Sequence, residues 1–216
     1  MTAAKTPSLT SAALTRNAAP PTQAGPADGE LGSAAQRERR KRIIDATLAL
    51  ASKGGYDAVQ MREVAERADV ALGTLYRYFP SKIHLLVSGL IREFEQTKEK
   101  LDRRPIPGDT PAERIIYVLN KVTKTMQREP LLTEAITRAF MFADPSAAAE
   151  VNAVAALMEQ MLTDAMHEGE PTADERAIAR VIGDVWLSNL VAWVTRRASA
   201  NDVSRQLELA ARLLLR

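Results

Sequence analysis

Two groups of residues in the 216-residue chain carry recognisable chemistry. The first is Leu72-Gly-Thr-Leu-Tyr-Arg-Tyr-Phe79, in which Leu72, Leu75 and Phe79 recur at i, i+3 and i+7. At helical spacing these three face inward and leave Gly73, Thr74, Arg77 and Tyr78 on the other side, flanked by Tyr76. Small, hydroxyl, aromatic and guanidinium groups in this mix suit base edges, thymine methyls and phosphates. The second group is the run Arg37, Arg39, Arg40, Lys41 and Arg42. It falls in the first turn of a helix, where the helix dipole prefers acids, so it invites a polyanion. A solvated charge run balanced by Glu38 and Asp45 is the alternative reading.

Other chemistry finds little support. The absence of Cys excludes a disulfide framework, a thiolate metal site and a thiol nucleophile. His84 and His167 stand far apart, with no serine or carboxylate partner in motif spacing. There is no Gly-x-Ser-x-Gly elbow, and Gly54-Gly55 is not a phosphate-cradling loop. Glu93 and Glu95 lie on the charged face of a helix beside Arg92 and Lys98. We therefore expect no catalytic residue, metal or cofactor.

The elements that would position these groups are helical, because apolar residues from Ser33 onward keep helical spacing and never alternate over a sustained run. A first helix is predicted from Ala35 to Lys53, with Ile43, Ile44, Ala46, Leu48 and Leu50 inward and Gly54-Gly55 as its stop. Gln60 to Ala68 forms a short second helix, Asp69-Val70-Ala71 a tight connection, and Leu72 to Phe79 a third helix stopped by Pro80. Ala65 and Ala68 permit close crossing, and Val64 and Val70 fill the angle. Charge follows this division. Residues 1–34 are neutral, 35–104 carry +5 and 105–216 carry −3, so a basic module precedes one that avoids polyanions.

Gln60 to Lys82, with its Gly73-Thr-Leu-Tyr-Arg-Tyr-Phe79 core followed by Ser81-Lys82, resembles the TetR family of bacterial transcription regulators. The resemblance implies an all-α protein. It places a three-helix helix-turn-helix DNA-binding domain at 35–82 and a helical ligand-binding and dimerisation domain at 83–216. It assigns Gly73, Thr74, Tyr76, Arg77 and Tyr78 to the groove-facing recognition helix. Arg62 would reach a base or phosphate, Lys82 would clamp the backbone, and Arg39, Arg40 and Lys41 would lie along the phosphates. Two departures stand out: Asp69 replaces the usual turn glycine, and Ala71 the usual Ser or Thr cap. Along the whole chain, including the Ala/Pro-rich leader and Phe140 to Ser146, the similarity runs to repressors of cholesterol catabolism. That implies a sterol-derived coenzyme A thioester as inducer.

The remaining helices are predicted from punctuation. A long helix runs from Ser81 to about Leu101. Thr110-Pro-Ala-Glu113 is a capping box opening a helix to about Arg128, and Pro130 opens the next to about Phe142. Asp144-Pro145 opens one to Glu168, Thr172-Ala-Asp-Glu175 one to about Arg197, and Asn201 the last. Five of the seven Met residues fall between 126 and 166, which suits an adaptable apolar pocket, although ordinary core is the commoner use. Leu119, Val122, Met126, Ile136, Phe140, Met141, Met158, Met161 and Trp186 are the candidate ligand contacts. Arg114, Arg138 and Arg176 are possible phosphate partners or surface pairs. The last two helices carry more apolar surface than a bundle edge exposes. Family pattern makes them a homodimer interface, with Val185, Trp193, Leu207 and Leu214 as candidates, suited to a palindromic double-stranded operator.

Residues 1–34, rich in Ala, Pro, Thr, Gly and Ser, read as a disordered tail without the apolar core of a secretion signal. Val181 to Val194, the richest apolar stretch, is interrupted by Asp184, Ser188 and Asn189, so no membrane span is expected. These readings describe a cytoplasmic, ligand-responsive repressor. Regulators of another pathway with a different apolar inducer, and an acyl-CoA binder without operator specificity, are the rivals.

Overall fold

Capping chemistry fixes where most of the helices begin. The computed structural model describes residues 34–215, and the predicted tail lies outside them except for its last residue. Nine α-helices are found among the described residues and no strand. They are α1 (Ala34–Ala58), α2 (Met61–Arg67), α3 (Leu72–Tyr78), α4 (Lys82–Asp102), α5 (Pro111–Gln127), α6 (Pro130–Met141), α7 (Ala148–Met166), α8 (Ala173–Val194) and α9 (Ala200–Leu214). Thr110 and Thr172 form the expected capping boxes with Glu113 and Glu175. A third box, Ser199 with Asp202, starts α9 ahead of the predicted Asn201. Amide donors of Asp109 and Thr110 hold the Glu113 carboxyl below its ordinary range, and the Ser199 hydroxyl and amide lower that of Asp202 to about 2.

Three boundaries differ from the sequence pattern. The first helix does not simply stop at Gly54-Gly55. It breaks there, Gly55 taking φ 65° and ψ −158°, and resumes as a turn through Ala58. Asp144-Pro145 opens a 3-10 turn, Pro145–Ala147, before α7 proper begins. Helix α8 stops at Val194 because Arg196 adopts a left-handed φ of 60°. The amides of Arg196 and Arg197 then donate to the carbonyls of Trp193 and Ala192, a Schellman closure made without glycine.

Helices α1 to α3 form a small head whose core is Ile43, Leu50, Val64, Leu75 and Phe79. Helix α4 leaves that head and runs through the body, packing against α1, α6 and α7. Its Leu85, Leu86, Val87 and Phe94 are almost fully buried. The closest joint between head and body is α1 on α6. Helices α5, α7, α8 and α9 complete the body, with α8 pairing with α7 on one side and α9 on the other.

Candidate nucleic-acid interface and apolar cavity

The turn between α2 and α3 explains how an Asp can stand where glycine is usual. Asp69 takes φ 53°, and the amides of Asp69 and Val70 donate to the carbonyls of Glu66 and Ala65. This is again a Schellman turn, and Asp tolerates the left-handed region better than most residues. The missing cap at Ala71 is also real: no side chain satisfies the first amides of α3. The short helix is held by burial instead, with Leu75 and Phe79 packed into the head core.

Its other face is open. Gly73, Tyr76 and Arg77 are exposed, and Thr74 and Tyr78 are half-buried. A Cβ built on Gly73 meets nothing within 4 Å, so nothing inside the protein requires glycine there. Arg62 is exposed on α2, next to this face in the helix-turn-helix unit.

The basic groups are less uniform than their spacing suggests. Arg39 is half-buried. Lys41 pairs with Asp45 at 3.4 Å along α1. Arg40 lies over the Phe79 ring, 5.2 Å from its centroid, and its guanidinium donates to Ser88 Oγ at 3.4 Å. It thus straps α1 to α3 and α4 as well as presenting charge. Lys82 Nζ donates to the Tyr56 carbonyl at 3.3 Å and sits 3.9 Å from the centre of its ring. The guanidinium of Arg138, on α6, lies 4.4 Å from the same ring. Tyr56 was absent from the sequence-based assignment. The only hint was its place after a glycine pair.

A cavity of about 220 Å³ opens between α4, α6, α7 and α8, lined by Phe94, Met126, Phe140, Met158 and Trp186 with Thr137 among them. Its mouth carries an ion pair between Arg180 and Glu159 at 3.3 Å. Trp186 Nε1 donates to Thr123 Oγ1 at 3.0 Å, and its ring meets Phe94 edge-on at 5.8 Å. Four of the nine sequence candidates, Met126, Phe140, Met158 and Trp186, line this space. Val122 and Ile136, again with Met126, line a second cavity at the α1, α4, α5 and α6 junction. Leu119 and Met161 border neither cavity and are packed in the core. Met141, the last residue of α6, is rotated to the outside and is 52% exposed.

The three arginines considered for phosphate have protein partners. Arg114 donates to the carbonyls of Ala165 and Met166 and so closes the end of α7. Arg138 pairs with Asp57 and Glu134, and Arg176 with Glu170.

The outer face of α8 and α9 is apolar and unpartnered. Val181, Leu209, Leu213 and Leu214 are exposed there, and Val185 and Trp193 are half-buried. Leu207 corrects the sequence assignment: at 2% exposure it packs inside its own protomer, one face round from Leu209 and Leu213. By length and apolar content α8 is also sufficient to cross a bilayer, contrary to expectation, and it is the one such helix among the described residues. Its Ala179, Ile182, Trp186 and Leu190 are buried against the body.

Comparison with known proteins agrees with this geometry. The family described as "Bacterial regulatory proteins, tetR family" matches residues 43–88. The "Tetracyclin repressor-like, C-terminal domain" matches residues 108–214. The chain is 67% identical over 188 residues to the HTH-type transcriptional repressor KstR of Mycolicibacterium smegmatis, covering 87% of this chain and 92% of the relative. It is 65% identical over 189 residues to KstR of Mycobacterium tuberculosis, covering 88% and 86%. A crystal structure of a TetR transcriptional regulator from Rhodococcus sp. RHA1 superposes with a TM-score of 0.78 at 30% identity, covering 84% of this chain and 97% of the other.

Proposed function

Since the chain belongs to the TetR family of bacterial regulatory proteins and is a KstR-like transcriptional repressor, we propose that it represses sterol-catabolism genes and releases its operator on binding a sterol-derived coenzyme A thioester. The observation that carries this reading is the level of identity to the KstR repressors across both head and body. The protein would act in the cytoplasm as a homodimer on a palindromic operator. The face of Val181, Val185, Trp193, Leu209, Leu213 and Leu214 would join two copies, and Gly73, Thr74, Tyr76, Arg77 and Tyr78 of each would enter a major groove. Arg62, Lys82 and the basic start of α1 would hold the phosphates.

Size supplies the switch. A cavity of about 220 Å³ is smaller than the ~300–1,000 Å³ typical of pockets for drug-sized ligands, so a sterol fits only if the walls move. Two of those walls lead to the head. Helix α4 carries Phe94 and begins at Lys82, and α6 carries Phe140 and packs on α1. Widening the cavity therefore favours a head separation that no longer matches successive grooves. If ligand and DNA weaken each other by about 10- to 100-fold, the coupling is ~1.4–2.7 kcal/mol, ordinary for allostery.

The test is fluorescence anisotropy with promoter DNA at near-physiological salt, titrated with cholesterol-derived coenzyme A thioesters and with unrelated acyl-CoAs. Release by the sterol thioesters alone is expected. A second reading, a fatty acyl-CoA inducer, draws on structural neighbours of the same fold: FadR of Bacillus subtilis in complex with stearoyl-CoA (TM-score 0.58) and FadR of Thermus thermophilus in complex with lauroyl-CoA (TM-score 0.64). Release by acyl-CoAs irrespective of the sterol would favour it. Operator binding unmoved by every thioester would remove both inducers.

Gly73 offers a separate check on the groove-facing side. With open space at its Cβ, Gly73→Ala is expected to raise helix stability by up to about 1 kcal/mol. It should still weaken operator binding several-fold, because the added methyl meets DNA. Gains in both melting temperature and operator affinity would show that this face does not approach DNA.

A further inference from the structure

The cavity wall contains one polar atom that the fold leaves unused. Six threonines are buried among the described residues: Thr47, Thr97, Thr123, Thr133, Thr137 and Thr163. Five have a hydrogen bond. Thr47 and Thr97 donate back to the carbonyl four residues earlier, Thr163 to that three earlier, and Thr133 to the Met126 carbonyl at 2.6 Å. Thr123 accepts the indole N–H of Trp186. Thr137 is the exception. Its residue is 4% exposed, its Oγ1 is buried without a partner, and it borders the apolar cavity beside Phe140 and Met126.

A buried hydroxyl without a partner is unfavourable, and a helical Thr has an easy remedy in its own i−4 carbonyl. Thr137 does not use it. Around it the wall is aromatic and aliphatic, while the charged pair Arg180 and Glu159 stands at the more exposed mouth. A ligand that filled this cavity with hydrocarbon alone would bury Oγ1 permanently unpaired. One carrying an oxygen at its inner end would satisfy it.

We propose that Thr137 is a specificity-determining residue of the cavity, its hydroxyl pairing with a single hydroxyl or ketone oxygen at the buried end of an otherwise apolar ligand. The inference rests on the sterol reading above and narrows it: the preferred ligand keeps an oxygen on the ring system remote from its charged end. A threonine hydroxyl both donates and accepts, so an alcohol and a ketone each qualify. A plain fatty chain, which carries no such oxygen, does not.

The test uses the full chain and three probes delivered from cyclodextrin: 5α-cholestane, its 3-hydroxy derivative and its 3-keto derivative. Binding is followed by quenching of tryptophan fluorescence, since Trp186 lines the cavity. Wild type is expected to bind one or both oxygenated probes about tenfold more tightly than the hydrocarbon. Thr137→Val should abolish that preference and Thr137→Ser should retain it. Without ligand, Thr137→Val should melt at the same temperature or about 2–4 °C higher, because the hydroxyl it removes is idle. A preference kept by Thr137→Val would overturn the assignment. So would a lower melting temperature of ligand-free Thr137→Val, which would mean that the hydroxyl already holds the fold together. Equal binding of all three probes by wild type would leave the sterol reading standing and remove Thr137 from it. Binding of none would remove both, with operator binding untouched.

Discussion

Replacing Tyr78 and Lys82 together by alanine is expected to lower operator affinity about 100-fold at near-physiological salt while leaving the dimer mass unchanged. Each lost base or phosphate contact is worth roughly 1–3 kcal/mol, and each dimer loses two copies of both. The single variants separate the two kinds of contact. Lys82→Ala should weaken binding to all DNA alike and reduce the salt slope by about 2 per dimer, one for each lost phosphate contact. Tyr78→Ala should leave the slope nearly unchanged and erode the preference for operator over random DNA. Lys82 also rests on the Tyr56 ring, and Tyr78 lies beside Phe79 with ring centroids 6.5 Å apart, so melting curves must accompany the titrations. Unaltered operator affinity in both single variants would remove these residues from the DNA surface.

The contrast between head and body shows which physical signals a sequence carries. The recognition helix was legible because its information is local: three inward residues at i, i+3 and i+7 leave the rest of a seven-residue helix outward. Capping boxes at Thr110 and Thr172 were legible for the same reason, since the donor and acceptor lie three residues apart. Left-handed closure at Asp69 and Arg196 was not, because neither residue is glycine and the turn is stabilised by amides two and three residues past the helix end. Cavity residues were only half legible. Periodicity separates the inside of a helix from its outside, yet Leu119, Met126 and Met161 all satisfy it, and only packing between distant helices decides which of them faces empty space. Met141 failed even that test, standing where α6 ends. On α9, Leu207 and Leu209 are both apolar, but α5 and α8 cover one and leave the other outside. Thr137 and Tyr56 passed unnoticed because their roles are defined by partners far away in sequence.

Trp186→Ala is expected to cost about 3–5 kcal/mol of stability, the range for removing a large buried aromatic from a core. Three losses combine. The 5%-exposed indole leaves a void that joins the existing cavity, the edge contact with Phe94 disappears, and the buried Thr123 hydroxyl loses its donor. Against a total of roughly 5–15 kcal/mol for a typical folded protein this is a large fraction, and at ~2–4 °C per kcal/mol for a chain of this size it lowers the melting temperature by about 10 °C. Trp186→Phe isolates one part: it keeps most of the ring and its approach to Phe94 but removes the N–H, and should cost only about 1–2 kcal/mol. Both must be compared at one protomer concentration, because dimerisation would add to apparent stability by mass action. The same helix carries Val181 and Val185 on its outer face and Trp186 and Leu190 on its inner one. Loosening the inner packing should therefore also weaken association of the two copies, seen as a steeper dependence of melting on concentration. A Trp186→Ala protein that melts within 2 °C of wild type would mean that the wall between cavity and interface is already slack, and that the widening required for a sterol ligand costs the fold little.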